Sequence, residues 1–244
     1  MKPIQEQGQE KIGIVFVHGA GLTNGIWSGV VEGLDRPYLL GGYPLLSGQD
    51  LSRQGLTMDD YVTDMKRQIE QWPVKRFVIV AHSIGGVLAQ RLAEELPDRL
   101  AGFVGVGAAI PKKGGSFLST LPWPKRMLMS AILQRMGTKP PDSAIRAGLC
   151  NDLTASQAEE IVRGFIPESI HIYTDRIGAA LPEVPKLYVK LTKDKEFGQS
   201  HQYKMIGNLS PQTVESLETG HLPMLSDPKG LRNILQSFAA KLDE

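Results

Sequence analysis

At 244 residues, 41% hydrophobic and 22% charged, the chain is long enough to bury a core without help from metals or disulfides. Its formal net charge of +1 gives no reason to expect nucleic acid or an anionic membrane as partner, and its one cysteine, Cys150, excludes an internal disulfide. Residues 1–10 are polar, unlike a signal peptide, and no apolar run approaches the roughly 20 residues that span a bilayer, so a cytoplasmic location is expected.

Residues 12–17 form an almost continuous apolar run that ends at His18-Gly19-Ala20-Gly21, the pattern of a strand buried on both faces of a parallel sheet. A helical stretch is predicted over 27–34, a weaker strand over 38–40, and a loop over the Gly-, Pro- and Ser-rich segment 41–55. Thr57 caps the next helix, which carries Asp59 and Asp60 in its first turn and an apolar stripe of Tyr61, Val62, Met65 and Ile69. Pro73 ends it. Residues 77–80 and 100–106 read as further buried strands, with a helix from Val87 between them. Strands alternating with amphipathic helices predict an α/β fold, a mostly parallel sheet with helices on both faces.

That alternation breaks over 108–182, where helices are expected at 125–136 and, behind a Thr154–Gln157 capping box, at 155–165. A helical insertion in such a sheet reads as a cap over the strand ends, where ligands bind; a packed helical excursion away from any site is the alternative. The division expected is a core of 1–107 and 183–244 with a cap of 108–182. Strands resume at 186–191 and 213–217, and a terminal helix runs from Pro228 to about Leu242.

The chemistry concentrates at Ala81-His82-Ser83-Ile84-Gly85, between an apolar strand and a helix. Small residues two positions either side of a serine allow a sharp, strained turn that lifts the hydroxyl clear of the sheet edge. A serine needs a base, and His221, after the last strand in Gly220-His221-Leu222-Pro223, lies at the same sheet edge. The side chain of His82 should point away from Ser83, and His18 is expected to brace the loop after the first strand. His171 and His201 read as structural or surface residues.

Asp194, after the preceding strand, would orient the imidazole, giving the chain order Ser, Asp, His. Glu196 is its rival, and a solvated cluster of Lys193, Asp194, Lys195 and Glu196 is the bland reading. Asp227 is expected to cap the terminal helix. Backbone N–H groups of Ile84 and Ala20 are placed to hold an oxyanion. The chain lacks Gly-x-Gly-x-x-Gly and Gly-Lys-Ser/Thr, and no cluster has metal-ligand spacing, so neither cofactor nor metal is expected.

Together these motifs, with Trp27 and the run from Gly220 to Pro228, resemble the α/β-hydrolase superfamily, in particular the branch of plant methylesterases, hydroxynitrile lyases and bacterial esterase-like proteins. The resemblance implies an α/β-hydrolase fold and hydrolysis of a small-molecule carboxylic ester through an acyl-enzyme. Gly19 and Leu222 stand where the similar lyases carry threonine and lysine, which argues against cyanide release. Ser83 excludes the aspartate chemistry of dehalogenases and epoxide hydrolases. A Met- and Leu-rich cap with Phe117, Leu118, Leu121 and Trp123 implies a small to medium apolar substrate, with Trp123 and Leu222 as candidate contacts. A non-catalytic ligand receptor on the same fold is the second reading. Oligomeric state is left open.

Overall fold

The computed structural model describes residues 11–44, 53–178 and 180–243. The N-terminal stretch 1–10 and part of the loop expected at 41–55 lie outside them. Six strands, β1 (Gly13–Val17), β2 (Tyr38–Gly41), β3 (Phe77–His82), β4 (Leu100–Val106), β5 (Lys186–Leu191) and β6 (Thr213–Leu217), form one sheet in the order β2-β1-β3-β4-β5-β6. Every pairing is parallel.

Strand parity sorts the core into two layers. Val15, Val17, Phe77, Ile79 and Ala81 face α2 (Met58–Gln71), α3 (Gly85–Glu95) and α9 (Gln199–Leu209), burying Tyr61, Met65, Leu92 and Met205. Ile14, Phe16, Val78 and Val80 face the opposite way, toward Trp27, α1 (Ser28–Val31) and α11 (Pro228–Ala240), which contribute Val30, Leu231 and Leu235. Because β1, β3 and β4 are covered on both sides, all their residues are buried. Edge strand β6 exposes its middle residues, with only Leu217 buried.

The predicted helix over 27–34 is shorter than its sequence promised. A 3-10 turn at Asn24–Trp27 leads into α1, which stops before Gly33, whose φ of +80° no helix continues. The α2 cap forms a full capping box, with Thr57 accepting from the Asp60 N–H and Asp60 accepting from the Thr57 N–H. Asp227 caps α11 by accepting from the Gly230 N–H.

Between β4 and β5 the chain forms α4 (Phe117–Thr120), α5 (Trp123–Met136), α6 (Asp142–Ala147), α7 (Ala155–Gly164) and α8 (His171–Thr174). Helix α5 begins two residues earlier than expected because Pro124, in its first turn, has no need of an N–H partner there. Ile145, Cys150, Ala158, Val162 and Phe165 pack into a small core belonging to this segment. Buried polar ties join it to the sheet layer. Glu168 accepts from Arg53 at 2.6 Å and from the Tyr61 hydroxyl at 2.9 Å, and burial pushes its carboxyl above the ordinary range. An antiparallel bridge, Gly21 with Ile166, fastens the loop after β1 to the segment.

Candidate active site

The strand order fixes where the site lies. From β1 the chain moves outward to β2, then crosses back to β3 on the other side of β1, so the loops after β1 and β3 diverge at their C-terminal ends. Open parallel sheets form their ligand crevice at such a point. The β1 loop supplies Ala20 and the β3 loop supplies Ser83 and Ile84, and all three line one cavity.

Ser83 has φ of +54°, a left-handed conformation that costs a residue with a Cβ about 1–2 kcal/mol. The turn leaves no room for larger neighbours. A Cβ on Gly85 would stand 2.4 Å from the His18 carbonyl oxygen, and one on Gly19 2.9 Å from the Ser83 Cβ. The strained turn is held by Ser83 N–H donating to Val106 O and by Ser83 O accepting from Ala109 N–H at 2.8 Å.

His221 lies in the turn after β6, with Nε2 at 2.9 Å from the Ser83 Oγ and Nδ1 at 2.8 Å from Asp194 Oδ2. The tautomer that satisfies both contacts donates Nδ1–H to the carboxylate and accepts the serine proton at Nε2. The second carboxylate oxygen, Oδ1, accepts from the N–H groups of Glu196 and Phe197 at 2.8 and 2.9 Å, locking the plane of the group. Both side chains of the acid–imidazole pair are fully buried. Burial alone would lower the His221 pKa, but the Asp194 charge and its hydrogen bond outweigh it and hold the imidazole above the ordinary 6.5. Glu196, the rival acid, points its side chain elsewhere and lines the cavity.

Three neighbours position this group, two of them, Asp152 and Asn151, absent from the sequence reasoning. His82 Nε2 donates to the His221 carbonyl at 2.8 Å, and burial keeps that ring neutral, its pKa well below the usual value. Strand parity sets its direction, since His82 continues the Val78–Val80 face toward Trp27 and the β6 loop. Asp152 accepts from the Gly220 N–H at 2.5 Å, and Asn151 donates to Lys193 O at 3.0 Å. The α6–α7 connection therefore grips both the imidazole loop and the carboxylate loop. A Cβ on Gly220 would lie 2.3 Å from the Asp152 carboxylate, so only glycine permits the grip. No spacing in the sequence announces it.

His18 is fully buried, its Nδ1 donates to Gly19 O at 2.8 Å, and burial lowers its pKa to about 4. Tyr43 holds the same loop by donating to His18 O at 2.5 Å. Among backbone bonds in the turns and loops, neither the Ala20 nor the Ile84 N–H has an acceptor. His171 pairs with Asp175, and His201 packs on Phe197 with its pKa lowered to about 4 by burial, so neither enters the cavity.

The cavity measures about 300 Å³ and is walled mainly by apolar side chains of the insertion, among them Phe117, Met129, Leu133, Ile145 and Phe165. Two expected substrate contacts need correction. Leu222 is fully buried in the layer beneath the sheet, because the residue after His221 turns inward against Met224 and Leu231. Trp123 is 74% exposed and outside the lining, because α5 turns Met129 and Leu133 toward the cavity instead.

Residues 14–234 match the Alpha/beta hydrolase family, and the chain belongs to that family. A solved structure with a similar fold is an extracellular alpha/beta-hydrolase from a Paenibacillus species, described as sharing structural and functional homology with tobacco Salicylic Acid Binding Protein 2. It is 21% identical, with a TM-score of 0.82 over 93% of this chain and 98% of that one. The methylesterase protein MES16 from Arabidopsis is 19% identical, with a TM-score of 0.77 over 94% of this chain and 99% of its own. In sequence, the pimeloyl-[acyl-carrier protein] methyl ester esterase of Legionella pneumophila (strain Paris) is 34% identical over 112 residues, 46% of this chain. The aligned stretch spans 42% of the length of that curated relative. Among the described residues no group of side chains could hold a metal ion, and no helix is long and apolar enough to cross a membrane.

Proposed function

We propose that the protein is a serine hydrolase of carboxylic esters, with Ser83 as nucleophile, His221 as general base and acid, and Asp194 as the group that orients and charges the imidazole. The observation that carries this reading is the unbroken hydrogen-bonded line from Asp194 through His221 to Ser83 at the floor of an apolar cavity. Esterase-named relatives support it.

In the first half-reaction the Ser83 Oγ attacks the ester carbonyl as its proton passes to His221 Nε2, and the Ala20 and Ile84 N–H groups receive the oxyanion. Collapse of the tetrahedral species breaks the bond to the alcohol, which leaves with the proton held on Nε2. Water then gives a proton to the same nitrogen and attacks the acyl-enzyme, releasing the acid and restoring the Ser83 hydroxyl. The Asp194 charge stabilises the imidazolium formed in both halves, which matters because the ring is cut off from water.

Residues 108–182 act as the cap that shapes the substrate pocket. A volume of about 300 Å³ with apolar walls fits a small to medium, largely apolar ester. One buried cysteine accords with a cytoplasmic home. Replacing Ser83→Ala should abolish hydrolysis of p-nitrophenyl esters and labelling by a fluorophosphonate while the circular dichroism stays unchanged. Turnover retained in that variant would refute the assignment, and saturable ligand binding without turnover in the native protein would favour a receptor.

A further inference from the structure

Helix α5 has almost no core of its own. Of its 14 residues only Leu133 is buried, while Trp123, Met127, Leu128 and Met136 are 74%, 54%, 63% and 67% exposed. Apolar side chains of that size, neighbours along one helix, are seldom left open to water without a partner.

The charge around them is one-sided. From residue 112 to residue 141 the chain carries Lys112, Lys113, Lys125, Arg126, Arg135 and Lys139 and not one carboxylate. All six cations are exposed, and none forms an ion pair among the described residues. The surface also leads to the site, since Ile132 and Met136 are exposed and line the cavity at once.

We propose that α5 and its flanks dock the protein on an anionic lipid surface, with Trp123, Met127 and Leu128 entering the headgroup boundary and the cations meeting lipid phosphates. Exposed tryptophan, leucine and methionine interspersed with lysine and arginine suit the headgroup boundary, where apolar stems and cationic heads both find partners. A second copy fits less well, because a two-fold contact through α5 would bring like charges together. An acidic protein would match the cations but would also need its own apolar groove.

Flotation of the purified full chain with vesicles tests this, using phosphatidylcholine alone and phosphatidylcholine mixed with phosphatidylglycerol. The expected result is association with the mixed vesicles only, released by high salt. Met127→Ser with Leu128→Ser, and separately Lys125→Glu with Arg126→Glu, should each weaken it at least about tenfold. Both pairs lie outside the cavity lining, so hydrolysis of a water-soluble short ester should stay at the native level and report an intact fold. Absence of native binding to the mixed vesicles, or equal binding by both variants, would overturn the proposal. So would a dimer abolished by the serine pair in a protein that ignores vesicles, which would assign the face to a second copy.

Discussion

The two sides of the inserted segment are built in opposite ways. Its inner side is sewn to the sheet layer by polar contacts: buried ones from Glu168 to Arg53 and Tyr61, a half-buried one from Asp152 to the Gly220 amide, and an exposed one from Asn151 to the Lys193 carbonyl. Its outer helix, α5, fully buries only Leu133, with Met129 half-buried against the core. Apolar composition is similar in both, so hydrophobicity alone does not decide what is buried; a facing partner does. The Asp152 and Asn151 ties act on the loops that carry His221 and Asp194, whereas α5 presents Trp123, Met127 and Leu128 outward.

The sharpest way to break the inner side is at its chemical end. Asp194→Asn should lower kcat on the order of 10⁴-fold, because the imidazolium loses its counter-charge and the tautomer its anchor. The same variant moves the acid limb of the pH–rate profile. His221 must be neutral to accept the serine proton, and its raised pKa means that native activity climbs only as pH passes a value above 6.5. Removing the Asp194 charge leaves burial as the dominant influence, so the limb should shift to lower pH; an unmoved limb would detach the acid from the imidazole.

Next in size comes the tie between layers. Glu168→Leu strands the buried Arg53 guanidinium and should destabilise the fold by about 3–5 kcal/mol in denaturant titration, with Arg53→Met added to it recovering most of the loss. Asp152→Ala releases the Gly220 amide and should reduce kcat about 10- to 100-fold with KM little changed, since the imidazole is displaced while the cavity is not. Equal losses in kcat for a variant at α5 would erase the contrast between the two sides. The smallest effect sits at the elbow. Ser83→Gly should be more stable than Ser83→Ala by about 1 kcal/mol, because both lose the hydroxyl and only glycine relaxes the positive φ.

The core layers were legible because their signals are local. An apolar run as unbroken as 77–80 has no surface on which to lie, and a capping box such as Thr57–Asp60 closes within four residues. The serine turn, the imidazole loop and the chain order were equally readable, since each motif follows a strand and parallel strands send their ends to one edge. Leu222 and Trp123 were misread as substrate contacts because side-chain direction depends on packing that neighbours in sequence do not encode. Asp152 and Asn151 were invisible for the same reason, lying 68 and 42 residues from the groups they hold. A net charge of +1 concealed α5, because a whole-chain sum cannot register cations gathered in one stretch and carboxylates in others.

Strand order has a consequence for how the protein comes into being. The serine turn is built between β3 and β4, but the imidazole follows β6, an edge strand two places beyond β4 in the sheet. Synthesis runs from the N-terminus, so the hydroxyl is made 138 residues before the imidazole it meets. Under the proposed mechanism, a chain that has not yet laid β6 beside β5 has no base for Ser83.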